Sequence, residues 1–280
     1  MEPICDLHAH STYSDGTLTP AQLIRAAEEA GLSAVVLSDH NTVAGLPEFL
    51  QAAEDSTVEA VPGVEFSTEY QGTELHILGL GITQAHYEAV NELLQQFLLR
   101  KDRSNRELVQ RLNQAGIPLD YDSVKNQSAG SVNRAVIGAE MVRLGCCESV
   151  KQAFQQWLSV DRGYYIPPLR PDAFETIRFI KSIGAVAVLA HPFLNLEEEE
   201  LRIFLEKAKK AGLDGMEVLY ARYDEDTTRL SKQLAEEYGL LPSGGSDFHG
   251  ENKPDIRLGV GRGSLEIPLS YWERLRACRG

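Results

Sequence analysis

The stretch ICDLHAHSTYSDG, residues 4–16, decides the fold, because an apolar run in it ends at two histidines. Residues 4–7 are predicted to form a strand, and His8 and His10 follow it. Side chains two residues apart on an extended chain lie on the same side, so both imidazoles are expected to face one way. A helix is predicted next, over residues 19–31, with a Thr-Pro start and a glycine end.

The same alternation of apolar strands and helices recurs further along the chain. Strands are predicted at 33–38, 59–66, 75–80, 185–189, 215–219 and 240–244, and helices at 44–53, 171–183, 197–211 and 224–238. The strand at 59–66 is expected to be interrupted by Pro62-Gly63. Strands separated by helices of this length indicate βαβ units and a parallel sheet. The sequence therefore predicts an α/β fold with a barrel-like core.

Residues 83–165 depart from this alternation. The pattern predicts one long helix over 83–115, then short helices over 120–160 with a loop at 127–131. We therefore predict a barrel domain made of residues 1–82 and 166–280. A helical insertion of residues 83–165 would form a lid or a substrate-binding side wall.

Composition limits the partners and the location. The 280 residues carry 27 Lys+Arg against 41 Asp+Glu, a formal net charge of −14. Such an acidic surface argues against electrostatic binding of duplex nucleic acid, so any anionic substrate must be attracted locally. We expect no membrane span, because no apolar run is long enough. The 4 cysteines show no disulfide spacing and the N-terminus shows no secretory signal, so a cytoplasmic location is predicted.

The histidines are concentrated at predicted strand ends. Of the 7 histidines, only that at position 86, in a helix start, lies elsewhere. The other six are His8, His10, His40, His76, His191 and His249. Carboxylates accompany them at Asp15, Asp39, Glu65 and Asp247. Because the carboxyl ends of parallel strands converge on one face, these groups are expected to meet, and imidazole with carboxylate suits Zn, Mn or Fe.

Each motif on its own also has a simpler structural interpretation. Asp39 could cap the following helix, His191 could precede a turn at a proline, and residues 246–249 could be an ordinary loop. All of these interpretations would have to hold together, each at a strand end. The convergence therefore favours a metal site.

The motifs in this order resemble those of the PHP (polymerase and histidinol phosphatase) superfamily of metal-dependent phosphoesterases. The resemblance covers nearly the whole chain. It is carried by DLHAHSTYSDG (6–16), SDH (38–40), PGVE (62–65), ELHILG (74–79), LAHP (189–192) and GGSDFHG (244–250). It implies a distorted (β/α)7 barrel with a helical insertion, and two to three divalent ions of Mn, Fe or Zn.

The resemblance further implies nine ligands in three sets. The first ion would be held by His8, His10, Glu65 and Asp247; the second by Glu65, His76 and His191; the third by Asp15, His40 and His249. Three divalent ions bring +6 and the three carboxylates −3, so the pocket would be locally positive inside an acidic protein.

The expected reaction is hydrolysis of a phosphate ester. A metal-bridging hydroxide, held by Glu65, His8, His10 and His76, would attack the phosphorus and release inorganic phosphate. The expected substrate is small and phosphorylated, and the resemblance points to a nucleotide: a 3′,5′-bisphosphonucleotide or the 5′ end of a short RNA. Two alternatives are a histidinol-phosphate phosphatase and a non-catalytic metal-binding PHP module. The stand-alone length and the complete ligand set weigh against the second.

Substrate-binding residues are expected in the insertion. Similar stand-alone members carry Arg-x-His there; this chain keeps Arg134 but has Val136 in place of the histidine. The guanidinium of Arg134 would bind a phosphate, or would pair with Glu140 or another surface carboxylate. Arg222, after a predicted strand, is a second candidate.

Two further assignments remain open at the level of sequence. Asp39 would orient a metal ligand or would cap a helix. Tyr164 and Tyr165 would stack on a base or would pack in the core of the insertion.

Overall fold

The computed structural model describes residues 2–127 and 132–279. Except for its first residue, the loop predicted at 127–131 lies outside the described residues. The strands are β1 (Ile4–Asp6), β2 (Ala34–Leu37), β3 (Glu59–Tyr70), β4 (Thr73–Leu80), β5 (Val186–Leu189), β6 (Gly215–Tyr220), β7 (Leu241–Gly245) and β8 (Ile267–Pro268). The α-helices are α1 (Pro20–Glu29), α2 (Leu46–Ala52), α3 (Tyr87–Gln114), α4 (Tyr121–Gln127), α5 (Arg134–Arg143), α6 (Val150–Ala153), α7 (Ala173–Ser182), α8 (Glu198–Ala211), α9 (Glu225–Glu237) and α10 (Leu269–Arg276).

The strands form a single sheet that curves into a barrel. Their order is β7-β6-β5-β4-β3-β2-β1-β8. The chain beyond β1 closes the sheet against the end of β7: Leu7 N donates to Gly244 O at 3.2 Å, and Asp247 N donates to His8 O at 2.9 Å. The predicted α/β barrel is confirmed, and the closure places the segments after β1 and β7 side by side.

The sheet is not wholly parallel, which corrects the sequence prediction. Strand β4 pairs antiparallel with both β3 and β5. Strand β3 runs without interruption through Pro62-Gly63 and is joined to β4 by the turn Gln71-Gly72, where φ is 50° and 83°. A parallel crossover needs about a dozen residues, and two residues permit only a hairpin. The short spacing between these two strands in the sequence therefore already indicated an antiparallel hairpin.

The short strand β8 is absent from the sequence prediction. It pairs antiparallel with β1, with Cys5 opposite Ile267. Two residues are too few to produce a recognisable period of alternation. Its role is to cover the outer edge of β1.

The hydrophobic residues form three clusters. The largest lies between the sheet and the helices around it, with Phe49, Phe66 and Phe204 fully buried. A second fills the barrel interior, and a third lies within residues 108–165. Burial of apolar surface at about 25 cal/mol per Å² makes these clusters the main favourable contribution to folding.

Helix α3 connects the barrel to the insertion. Val90 and Leu94, in its first half, pack in the largest cluster, whereas Leu108 and Leu112 pack in the third. The described part of residues 83–165 is helical or irregular and contains no strand. Although α3 is 28 residues long, neither it nor any other helix of the described residues is long and apolar enough to cross a membrane.

Candidate metal centre

The strand ends bring the predicted histidines to one mouth of the barrel. Backbone pairing places the segments after β1 and β7 beside each other, with Ala9 opposite Phe248, and His40 forms a bridge with Glu65 of β3. His76 is an exception to the prediction that each histidine ends or follows its strand, since it is the fourth residue of β4. It reaches the same mouth because β4 runs antiparallel, opposite Ser67 of β3.

Glu65 lies at the centre of this mouth. Its carboxylate is 1% exposed and contacts five imidazoles. Oε2 lies 3.2 Å from His8 Nε2, 3.2 Å from His10 Nε2 and 3.0 Å from His40 Nδ1. Oε1 lies 2.7 Å from His76 Nδ1 and 3.1 Å from His191 Nε2. One buried carboxylate thus joins residues from four different parts of the barrel.

Two aspartates complete the arrangement on the other side. Asp15 Oδ1 lies 3.2 Å from His249 Nε2 and 3.8 Å from both His10 Nδ1 and His40 Nε2. Asp247 Oδ1 lies 3.3 Å from His10 Nε2 and 3.4 Å from His249 Nδ1. The structure thus surrounds His10 with carboxylates from three segments.

The donor set fits divalent metal ions. The structure places all nine predicted ligands, and no others among the described residues, in four overlapping groups of ligand atoms within 4.8 Å of one another. These groups are His10-Asp15-His40-His249, His8-Glu65-His191, His8-His10-Asp247 and His40-Glu65-His76. His76 and His191 therefore fall in separate groups that share Glu65. The distribution of the nine over individual ions stays a prediction.

Buried polar atoms without hydrogen bonds support the same conclusion. Within the described residues, Asp15 Oδ1, His40 Nδ1, Glu65 Oε2 and His191 Nδ1 are buried without a hydrogen-bond partner. Several lie close to another polar atom, but in geometry unsuited to a hydrogen bond. Because buried polar groups are normally paired, such a concentration indicates atoms that face a common ligand.

The electrostatics keep the carboxylates ionised. Burial would raise the pKa of Glu65, but His40, His76 and His8 hold that pKa well below its usual range. Asp15 behaves in the same way, since His249 and His40 outweigh its burial and keep its pKa low. Ionised carboxylates are the form that binds metal.

The histidines respond differently to burial. Burial lowers the pKa of His40 to about 3 despite the attraction of Glu65 and Asp15. For His76, Glu65 and its own neighbour Glu74 outweigh burial and raise the pKa to about 10. A buried cluster whose members are pushed in opposite directions is typical of functional sites.

Glu217 was not predicted from the sequence. It is fully buried on β6, where Oε1 lies 3.0 Å from His8 Nδ1 and Oε2 accepts a hydrogen bond from His191 N at 2.6 Å. A carboxylate on the far nitrogen of a metal-binding histidine fixes its tautomer and orientation. The available signal was a lone glutamate inside the apolar strand 215–219.

Asp6 and Tyr220 also support the mouth and were missed as site residues. Asp6 Oδ1 accepts from Ser246 N at 2.9 Å, and Oδ2 accepts from Gly259 N at 2.8 Å, which ties β1 to the segments after β7. Tyr220 donates its hydroxyl to Asp247 Oδ2 at 2.8 Å. The other oxygen of Asp247 is thereby left facing the histidines.

Asp39 holds the loop between His10 and Asp15. Its Oδ1 accepts from Ser11 N at 2.8 Å, and its Oδ2 accepts from Ser11 Oγ at 2.6 Å. Helix α2 begins at Leu46, with Gly45 as its N-cap, so Asp39 does not cap it. Asp39 thus fixes the segment between the predicted ligands His10 and Asp15.

The backbone is strained at the same place. Of the described non-glycine residues, four have a positive φ, and three of these lie at the mouth: Asn41 (55°), His191 (25°) and Asp247 (55°). Such conformations cost about 1–3 kcal/mol each and persist where the surrounding structure imposes them. Two of the three are predicted ligands.

A cavity of about 170 Å³ opens onto the metal ligands. The barrel contributes Asp15, His40, Glu74 and His76, and the insertion contributes Lys101, Arg134 and Tyr165. Burial lowers the pKa of Lys101 to about 8, although Asp15 and Glu74 counteract this. The insertion therefore forms one wall of the cavity, and that wall carries cations.

Arg134 lies in this wall. It is the first residue of α5, its Cζ is 4.3 Å from the ring centroid of Tyr165, and its Nη1 donates to Leu158 O at 3.2 Å. Glu140, the alternative partner considered from the sequence, instead accepts from Arg143 Nε at 2.6 Å. Tyr165 thus supports the guanidinium from one face while the arginine lines the cavity.

Other predicted residues lie away from the cavity. Arg222 is exposed in the turn after β6 and is not among the residues that line it. Val136 packs against the cluster inside the insertion. Tyr164 packs on Trp157, with ring centroids 5.3 Å apart. Of the residues considered for substrate binding, Arg134 and Tyr165 line the cavity, and Tyr165 also packs in the core of the insertion.

The chain is similar to known proteins in both sequence and structure. The model of the PHP domain matches residues 6–166. The chain is 35% identical over 270 residues to a 5′-3′ exoribonuclease of Haemophilus influenzae (96% of this chain, 98% of that protein). It is 28% identical to a 3′,5′-nucleoside bisphosphate phosphatase of Chromobacterium violaceum (97% and 96%). A solved structure from Bifidobacterium adolescentis, described as a metal-dependent phosphoesterase, superposes with a TM-score of 0.88 at 27% identity, covering 100% of this chain and 98% of that one.

Proposed function

Because the chain belongs to the PHP domain family of metal-dependent phosphoesterases, we propose that it hydrolyses a phosphate ester of a nucleotide with two to three divalent ions bound at the barrel mouth. The observation that carries this proposal is the cluster of nine imidazoles and carboxylates with Glu65 at its centre. Mn, Fe and Zn are the ions that such a mixed donor set suits.

The nine residues have distinct tasks in this proposal. Glu65 would bridge two ions, since its two oxygens face different histidines. His8, His10 and Asp247 would hold one ion, and Asp15, His40 and His249 another. His76 and His191 would complete the set through Glu65 Oε1. The bound ions supply a Lewis acid for the phosphate oxygens and a water that loses its proton near neutral pH.

The protein's own groups determine how the ester is presented. Hydrolysis joins a water oxygen to phosphorus and breaks the bond from phosphorus to the ester oxygen, which leaves with a proton. Arg134 would bind phosphate oxygens with its planar fork of N–H donors. Glu217 would keep His8 in one tautomer, and Asp39 would keep the loop that carries Asp15 in place.

We infer that the substrate is a 3′,5′-bisphosphonucleotide or the 5′ end of a short RNA, and that a bisphosphonucleotide yields inorganic phosphate. Support comes from the small cavity, whose insertion wall would limit entry to small substrates or to the ends of a chain, and from the names of the two relatives given above. Duplex nucleic acid is disfavoured by the charge of −14.

The alternative of a histidinol-phosphate phosphatase is less well supported. Its substrate carries a cationic amine beside a single phosphate, and the cavity wall already contains Lys101, Arg134 and Arg170. A further cation there would be repelled. The alternative of a non-catalytic metal-binding module is less well supported, because relatives that match nearly the whole chain are named for enzyme activities.

A turnover screen tests the proposal directly. Purified protein supplied with Mn²⁺ is incubated with adenosine 3′,5′-bisphosphate, a short 5′-phosphorylated RNA and histidinol phosphate, and released phosphate and nucleotides are quantified. We expect turnover of one or both nucleotide substrates, lost on chelation and restored by Mn²⁺. Preferential turnover of histidinol phosphate, or none of any substrate, would contradict the proposal.

A further inference from the structure

The cavity contains a second arginine that the proposed reaction does not use. Arg170 lies between the insertion and α7, and lines the cavity together with His40 and His76. Its side chain is 9% exposed. A guanidinium buried to this degree is uncommon unless its donors are engaged.

Among the described residues, only part of the donor capacity of Arg170 is used. Its Nη2 donates to Glu74 Oε2 at 2.7 Å. Its Nε is buried and finds no hydrogen-bond partner within residues 2–127 and 132–279. Because arginine carries five N–H donors in a fixed plane, an edge of the guanidinium remains for an oxyanion.

Glu74 connects this arginine to the metal ligands. While Oε2 accepts from Arg170, Oε1 lies 3.4 Å from His76 Nε2, and the other nitrogen of His76 faces Glu65 at 2.7 Å. The Glu74 carboxylate thus sets the position of Arg170 relative to the metal centre through direct contacts on both of its oxygens.

The local charge also points to an anionic ligand. Lys101, Arg134 and Arg170 share one cavity, and Glu74 is the carboxylate there that is not a predicted metal ligand. The two guanidinium groups alone outnumber this one carboxylate, in a chain with a net charge of −14, and leave an excess of positive charge. Bringing like charges together under burial is unfavourable unless a bound anion compensates it.

We propose that Arg170, positioned by Glu74, binds the second, non-reacting phosphate of the substrate, across one ribose from the phosphate at the metal ions. The inference rests on the proposed function and extends it to how the substrate is selected. Both a 3′,5′-bisphosphonucleotide and the 5′-terminal nucleotide of an RNA present two phosphates on one ribose. Arg170 is thus a specificity residue, and Glu74 is a positioning residue.

A comparison of kinetics on substrates with one phosphate and with two phosphates tests the inference. With Mn²⁺-loaded enzyme, we expect Arg170→Met to raise KM for adenosine 3′,5′-bisphosphate or for the dinucleotide pApA by about tenfold or more. The KM for p-nitrophenyl phosphate, which has a single phosphate, should change by less than about twofold. The nucleotide substrate whose KM rises in the Arg170→Met variant is the one that supplies the second phosphate. Arg178→Met, an exposed arginine on α7, is the matched control.

A double variant separates positioning from general structural damage. Glu74→Gln should raise KM for the two-phosphate substrate, because Arg170 is then held less firmly. For each variant we compare KM for the two-phosphate substrate with KM for p-nitrophenyl phosphate. The double variant Glu74→Gln with Arg170→Met should change this ratio no more than Arg170→Met alone does. Calorimetric titration of chelator-treated protein with adenosine 3′,5′-bisphosphate gives a second readout, with weaker binding expected for Arg170→Met.

The outcomes distinguish the two levels of the proposal. A wild-type enzyme that hydrolyses none of the substrates contradicts the proposed function, and the calorimetry then tests Arg170 alone. Wild-type turnover with an equal KM change for one- and two-phosphate substrates, or with no change, overturns the inference. Unaltered thermal unfolding of Arg170→Met shows that a loss of binding is not a loss of folding.

Discussion

The barrel mouth and the insertion wall meet at one cavity but are built in different ways. At the mouth, Glu65 and His8 are buried and are fixed by strand pairing and by outer partners such as Glu217. In the wall, Arg134 and Lys101 are long side chains on helices that belong partly to a separate hydrophobic cluster. We propose from this comparison that the barrel mouth determines the chemistry, and that the insertion wall together with Arg170 beside it determines which ester is accepted.

Changes at the centre of the mouth are expected to have the largest effect. Glu65→Gln removes a charge that five imidazoles contact. We expect kcat/KM to fall by at least about 100-fold, because a group that supports charge at the reacting centre is lost. Steady-state kinetics measure the fall, and Glu69→Gln, four residues further along β3, serves as control. Near wild-type activity of the Glu65→Gln variant would show that Glu65 takes no part in the reaction.

A change behind the mouth should be smaller. Glu217→Gln keeps the shape but weakens the hold on His8 Nδ1, 3.0 Å away. Mutation of a residue that hydrogen-bonds to a metal-binding histidine typically lowers metal affinity or activity by about 10–100-fold. Titration of activity with Mn²⁺ measures the change, with the exposed Glu206→Gln as control. An unchanged Mn²⁺ dependence would mean that Glu217 is only a structural partner.

A change in the wall should alter binding more than chemistry. Arg134→Met removes the guanidinium above Tyr165. We expect KM for the nucleotide substrate to rise by about tenfold or more, as a charged hydrogen bond is lost, with kcat within about threefold. Arg143→Met, at the other end of α5, should leave both constants unchanged. A fall in kcat with constant KM would assign Arg134 to the mouth rather than to the wall.

The smallest effect is expected at Val136. The family resemblance leads us to expect histidine at this position, but Val136 packs against the cluster of the insertion and does not line the cavity. Val136→His should therefore change KM and kcat by no more than about threefold. Measuring both constants on the nucleotide substrates checks this. A large gain for one substrate would show that the insertion rearranges to bring this position to the cavity.

The functional residues of the two regions could be predicted from the sequence to different degrees. His8 and His10 follow β1 and Glu65 lies inside β3, and all three stand in sequence motifs that could be read from local sequence. Glu217 and Arg170 escaped notice because their roles depend on partners 209 and 96 residues away in the chain. The antiparallel course of β4 was missed because the pattern was interpreted as uniform βα units, although the spacing between β3 and β4 allows only a hairpin.

Metal analysis of the purified protein is the most direct test of the central claim, that nine side chains at the barrel mouth hold divalent ions. After incubation with Mn²⁺ and removal of free metal, inductively coupled plasma mass spectrometry should find two to three ions per chain, as the ligand count allows. Glu65→Gln should retain fewer, while Glu69→Gln should retain the full number. Less than one ion per chain in the wild-type protein, or equal contents in all three, would contradict the account.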